Sequence, residues 1–266
     1  MKSLKNTHLT RAATTLACLG TLLGLLAVEN VGARTLAEVK SLGAISVCAN
    51  GDALPYASNK PDSPGFQIEI ARAIAAGLGV SLNIEWILPR RRANVVNCDM
   101  LMDSINDPAV NEGRMLLSRP YQKSGLALGL ARDAEPVRDF KDLRKDQKIG
   151  AMVSSVANMV LIKAGKTTSP YAFQTDMLED LAKGAIYGAA VSGASMSYYI
   201  LQHPDSGLKL SNAFDSEPQL TWEVSVGLRK SDQALVDAVN PILDSLIASG
   251  ILTAIYAKYG VQHRVP

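Results

Sequence analysis

The chain has 266 residues, with 27 Lys and Arg against 25 Asp and Glu, 47% apolar residues and 5% aromatic ones. That near-neutral balance argues against a nucleic-acid binder, which needs a basic stripe to release counterions. The length admits one large domain or two small lobes.

Lys2, Lys5 and Arg11 precede an apolar run from Ala12 to Val28, and Val31-Gly32-Ala33 follows with small residues at the positions before a cut. That order predicts a secretory signal peptide over residues 1–33, cleaved after Ala33. The apolar run has 17 residues, short of the roughly 20 of a spanning helix, so no membrane insertion is expected after cleavage. Thr15 stands where a lipoprotein signal would place a large aliphatic residue before Cys18. The leader takes three basic residues and one acidic residue with it, which leaves 24 of each and a neutral mature chain.

Short apolar strands then alternate with amphipathic helices. Ala44–Cys48 reads as a strand, Phe66–Leu78 as a helix, Leu82–Trp86 as a strand, Arg91–Val96 as a short helix and Asp99–Met102 as a third strand. A long small-residue strand covers Tyr121–Leu130. A second cycle follows, with a strand at Lys148–Met152, helices at Val156–Ala164 and Met177–Ala182, and a buried strand at Ile186–Val191. Glu223–Leu228 returns as a strand, and helices at Leu235–Ser249 and Ile251–Tyr259 end the chain. Two βαβ cycles imply parallel sheets. The expected fold is α/β, two-lobed, with a cleft between lobes and two crossover strands. Lobe one is expected to be residues 34–124 plus 225–266, and lobe two residues 125–224. Ligands favour such junctions.

Cys48 and Cys98 are the two cysteines left after cleavage. In an oxidising compartment they read as a disulfide, and otherwise as two buried thiols. Catalytic constellations are thin. His203 lies in a polar turn and His263 three residues from the C-terminus, which makes a serine triad a poor reading. There is no phosphate loop, dinucleotide fingerprint or zinc spacing. No catalytic residue, metal or cofactor is therefore assigned, and a non-enzyme is expected. A hydrolase on this fold would need a glutamate in a cleft, for which Glu69 and Glu223 are the candidates.

The motif order is specific where each motif alone is weak. It runs through Leu54-Pro55-Tyr56, Gly65-Phe66-Gln67-Ile68-Glu69, Cys98-Asp99-Met100, Ser118-Arg119-Pro120-Tyr121, Asp142-Leu143, Leu181-Ala182-Lys183-Gly184 and Ser249-Gly250-Ile251-Leu252 through Tyr259-Gly260. It resembles the type II periplasmic solute-binding proteins, which include polar amino-acid receptors of ABC importers. The resemblance implies an arginine that clamps a ligand carboxylate, and that place falls on Asn111. It implies an acidic residue for a ligand ammonium, and that place falls on Ser192. Tyr187 stands for an earlier aspartate, and Ser154-Ser155 for a Gly-Thr pair that opens a helix.

Val47-Cys48-Ala49, Leu54 to Ser58, Trp86 with Pro89-Arg90-Arg91-Arg92, Cys98-Asp99 and Ser192-Gly193-Ala194 are similar to a narrower branch, the MxaJ/XoxJ accessory proteins of quinoprotein (PQQ) methanol and alcohol dehydrogenases. That similarity implies a periplasmic, non-catalytic accessory protein. Its partner would be a quinoprotein dehydrogenase or its cytochrome. The alternative is an ABC-importer receptor for a small polar or anionic ligand. The residues expected at the ligand or partner cleft are Tyr56, Arg90, Arg91, Asn106, Tyr121, Ser154, Ser155 and Ser192. Several have a second reading. The arginines also suit a solvated turn, Tyr121 a packing role at the hinge, and Ser154-Ser155 a plain helix cap.

Overall fold

The computed structural model describes residues 34–87, 98–111, 115–229 and 231–266. The signal peptide expected over 1–33 and the short helix expected at Arg91–Val96 lie outside them.

The described chain opens on α1 (Leu36–Leu42), which the strand and helix pattern did not anticipate. Its start is nonetheless written in the sequence. Thr35 accepts from the Glu38 amide while the Glu38 carboxylate accepts from the Thr35 amide, a reciprocal capping box. Then follow β1 (Ala44–Ala49), the short pair β2 (Asp52–Ala53) and β3 (Ala57–Ser58), α2 (Phe66–Gly77), β4 (Ser81–Trp86), β5 (Met100–Ile105), α3 (Pro108–Asn111) and β6 (Met115–Leu117). The long β7 (Gln122–Leu130) leads to β8 (Ile149–Met152), α4 (Val156–Lys163), β9 (Thr168–Tyr171), α5 (Gln174–Ala182), β10 (Gly188–Ser192), α6 (Gly193–Gln202) and β11 (Lys209–Ser211). The chain returns through β12 (Thr221–Arg229) and ends on α7 (Gln233–Ala248) and α8 (Ile251–Ala257).

The strands lie in the order β4-β1-β5-β12-β7-β10-β8-β9, with β6 on β12 and β11 on β7. β1 runs parallel to β4 and β5, and β8 runs parallel to β9 and β10. These are the two βαβ units of a two-lobed, type II periplasmic binding protein fold. β12 is antiparallel to both β5 and β7, and this central pairing joins the units.

Each unit buries its own core. The first gathers Val47, Ile70, Ile74, Met100, Tyr121, Val226 and Leu243. The second gathers Leu128, Phe140, Ile149, Leu161, Met177, Ala189 and Phe214. Both central strands pass from one core to the other. Tyr121 and Val224 belong to the first core, while Leu128 and Leu220 belong to the second. Where β7 and β12 cross, Gly125 lies opposite Thr221, and a Cβ on it would come within 2.7 Å of the Leu220 carbonyl oxygen. The small residues of β7 allow that approach.

Two devices fix the first unit. A disulfide joins Cys48 of β1 to Cys98 just before β5, with the Cα atoms 5.5 Å apart. Beside it Asp99 is almost wholly buried, its side chain 3% exposed. It accepts from Arg34 Nε at 2.9 Å and Nη2 at 2.5 Å, and from the Ser46 amide at 2.7 Å. A carboxylate with four donors, the Ser46 hydroxyl at 2.8 Å being the fourth, is stable out of water. Removing its charge strands the guanidinium and the amide. Asp99→Asn is expected to cost roughly 2–3 kcal/mol, at the low end for a buried pair because Arg34 is partly solvated. Urea denaturation at neutral pH measures that loss, and an unchanged midpoint would contradict it.

Candidate functional site

Parallel strands bring their carboxyl ends to one edge, and crevices outside those ends are where open α/β sheets bind ligands. β1 and β5 supply such ends in the first lobe, and β8 and β10 supply them in the second. The segments at these four ends carry five of the residues expected at the cleft, Tyr56, Asn106, Ser154, Ser155 and Ser192.

Tyr56 leaves β1 through the β2–β3 pair. Its amide donates to the Ala53 carbonyl at 2.8 Å, and its own carbonyl accepts from the Gln67 amide at 2.9 Å. The ring packs on Phe66 with centroids 5.0 Å apart. Gly65 makes this fit possible. Its φ is +87°, and a Cβ there would lie 2.4 Å from the Tyr56 carbonyl oxygen. The loop and the helix start therefore hold one tyrosine in place.

Ser192 is the last residue of β10 and the N-cap of α6. Its Oγ shares a hydrogen bond with the Tyr56 hydroxyl. The two residues are 136 positions apart and belong to different lobes. This contact bridges the cleft. Both side chains are half-buried. Each is a neutral group that can donate and accept.

β8 neighbours β10 in parallel register, with Gly188 opposite Ile149 and Ala189 opposite Gly150. The turn after β8 therefore sits beside the turn after β10. Ser154 has φ +57°, and among the described residues it is the one non-glycine in the left-handed region. Ser155 caps α4, its Oγ accepting from the Asn158 amide at 3.2 Å. The two serines have separate duties here, one turning the chain and one capping the helix.

Asn106 follows β5. Its amide donates to the Glu223 carbonyl at 2.8 Å and its side chain donates to the Glu223 carboxylate at 3.2 Å. It lines a recess of about 410 Å³ with Asp107, Gln219, Thr221, Trp222 and Glu223. Trp222 was not anticipated. It is an aromatic residue inside the returning crossover strand, and its position there was the available signal.

Tyr121 needs correction. It is 1% exposed, sits in the first core and donates its hydroxyl to the Met102 carbonyl. Burial raises its pKa well above the ordinary phenol value. It presents no face to the cleft and serves as packing at the crossover. Arg90 and Arg91 lie outside the described residues. Asn111 ends α3.

The residues weighed for catalysis have structural partners. Glu69 accepts from Lys258 and, at 2.7 Å, from the Tyr259 hydroxyl. His203 is exposed, stacks on Tyr199 and donates to the Tyr199 carbonyl at 2.9 Å. His263 is less exposed than its place near the C-terminus suggests, because it donates to the Tyr121 carbonyl at 2.9 Å. Among the described residues no group of three His, Cys, Asp or Glu could hold a metal ion.

Two lobes, each with strand ends facing a shared cleft, define a two-lobed α/β binding protein. Residues 45–262 match the pattern of the bacterial extracellular solute-binding proteins, family 3, and the chain belongs to that family. A probable histidine-binding protein of Neisseria gonorrhoeae is 23% identical over 223 residues, 80% of this chain and 81% of its own. A membrane-bound lytic murein transglycosylase F of Desulfosudis oleivorans is 24% identical over 242 residues, and the match covers 85% of this chain but 50% of that protein. The crystal structure of the L-cystine solute receptor of Neisseria gonorrhoeae, unliganded and open, shares the fold. Its TM-score is 0.73 at 17% identity, over 88% of this chain and all of that one.

The bridge makes a sharp expectation. Tyr56→Phe and Ser192→Ala each remove one partner, and each is expected to cost about 0.5–1.5 kcal/mol. Because the groups meet, the double variant is expected to lose less than the sum of the singles. A double-mutant cycle by denaturation reads the difference, and strict additivity would show that the groups do not interact.

Proposed function

We propose that the protein is the periplasmic receptor of a solute importer and takes a small polar solute between its lobes. Tyr56, Ser192 and the Ser154-Ser155 entrance to α4 form the polar contacts. The lobes, residues 34–124 with 225–266 and residues 125–224, close about β7 and β12. Residues 1–33 direct export and are removed.

The single observation behind this reading is the hydrogen bond between Tyr56 and Ser192. Neutral donor-acceptor groups from opposite lobes meet at the strand ends, where a bound solute would touch both. Relatives named for histidine binding and for L-cystine reception weigh in the same direction. They also weigh against the accessory role beside a quinoprotein dehydrogenase, which the first-lobe motifs suggested. The hydroxyl pair carries no formal charge, so it favours hydrogen-bonding groups over a bare ammonium or carboxylate.

Thermal melting of the mature protein against amino acids (histidine and cystine among them), organic acids and short alcohols tests the proposal. One compound at a hundred times its Kd is expected to add about 2.7 kcal/mol, or roughly 5–10 °C for a chain this long. Tyr56→Phe is expected to weaken that compound's binding by about fivefold. A panel without a shift, together with capture of a quinoprotein dehydrogenase from periplasm, would overturn the receptor reading and restore the accessory one.

A further inference from the structure

We infer that the C-terminal tail is a strap across the hinge, closed by an ion pair between Arg264 and Asp215, and that this pair biases the lobes toward the bridged arrangement. The inference concerns the hinge and does not depend on which solute the cleft takes.

The tail is anchored in the first lobe. Val261 is buried in the first core, and the His263 ring stacks on Tyr256 at 5.4 Å and 8°. Beyond α8 the chain lies along the start of β7. The Gln122 side chain donates to the Gln262 carbonyl at 3.3 Å and accepts from the Arg264 amide at 3.0 Å. The Lys123 amide donates to the Arg264 carbonyl at 2.7 Å. Lys123 is paired on its other side with Glu223 of β12. The tail is therefore a third segment running beside the two crossover strands at the point where the lobes meet.

Its side chain then reaches the other lobe. The Arg264 guanidinium donates through Nη1 to Asp215 Oδ1 at 3.1 Å and through Nη2 to Oδ2 at 2.5 Å. This two-pronged geometry is specific in direction as well as distance. Asp215 follows Phe214, which is fully buried in the second core against Phe140. One end of the pair is fixed to the first core and the other to the second. Bending about β7 and β12 must change the separation between them. The pair therefore favours arrangements in which the two groups meet, and in the present one the Tyr56–Ser192 bridge is also formed. The arginine is 25% exposed and the aspartate 35%, so the bias is modest and sensitive to salt.

The test measures interlobe distance in the full mature protein. Spin labels on cysteines introduced as Arg72→Cys in α2 and Lys163→Cys in α4 report the separation, since both sites are exposed. Arg264→Gln and Asp215→Asn are each expected to raise the ratio of long to short distances by about fivefold. The double variant is expected to match the singles. Molar salt should move the unsubstituted protein the same way and leave the variants unmoved. Exchanging the charges, as Arg264→Asp with Asp215→Arg, should recover part of the short population. Distributions that stay unchanged in variants with native melting curves would overturn the inference. So would single effects that add in the double variant.

Discussion

The structure depends on one strand that belongs to two lobes. β12 is hydrogen-bonded to β5 on one side and to β7 on the other, and both contacts are antiparallel. Without it the two βαβ units would be separate small sheets. With it, the buried residues on either side of Gly125 and Thr221 fall into two cores, joined by the paired strands and by side-chain contacts such as Tyr198 on Tyr259. Backbone pairing is stiff along the strand and flexible about it. Such a junction is where the proposed hinge between the lobes falls.

The cleft follows from the same constraint. Parallel units must end their strands on one edge, and β12 sets those edges facing each other. Tyr56 reaches the cleft because Gly65 lets the chain fold back within van der Waals reach of the tyrosine carbonyl. Ser192 reaches it because a strand ends where a helix needs a cap. Neither residue carries a charge. On the receptor reading proposed above, recognition at this bridge rests on the direction of hydroxyl groups rather than on long-range attraction.

Much of this was legible. The strong apolar periods of β1, α2, β8 and α7 placed those elements to within a few residues, and the alternation of types implied the parallel units. The cysteine pair Cys48 and Cys98 is a disulfide. Elements without a strong apolar period were missed. β9 and β11 are short and half-exposed, and α6 opens on Gly-Ala-Ser, which reads as a loop until Ser192 is seen to cap it. The start of α1 had a readable signal in Thr35 and Glu38 that the apolar pattern overshadowed. Tyr121 shows the limit of residue type as a guide. An aromatic next to a crossover suits a cleft or a core, and its near-complete burial and hydroxyl bond to Met102 decide for the core. The partnership of Arg264 with Asp215 spans 49 positions and has no local signature at all.

Amide hydrogen exchange of the mature protein, with and without a compound that raises its melting temperature, tests the receptor account most directly. Slower exchange is expected in both lobes at once, at residues 54–67 after β1 and at 153–158 and 192–196 after β8 and β10. Protection confined to one lobe, or spread evenly over the chain, would contradict binding between the lobes.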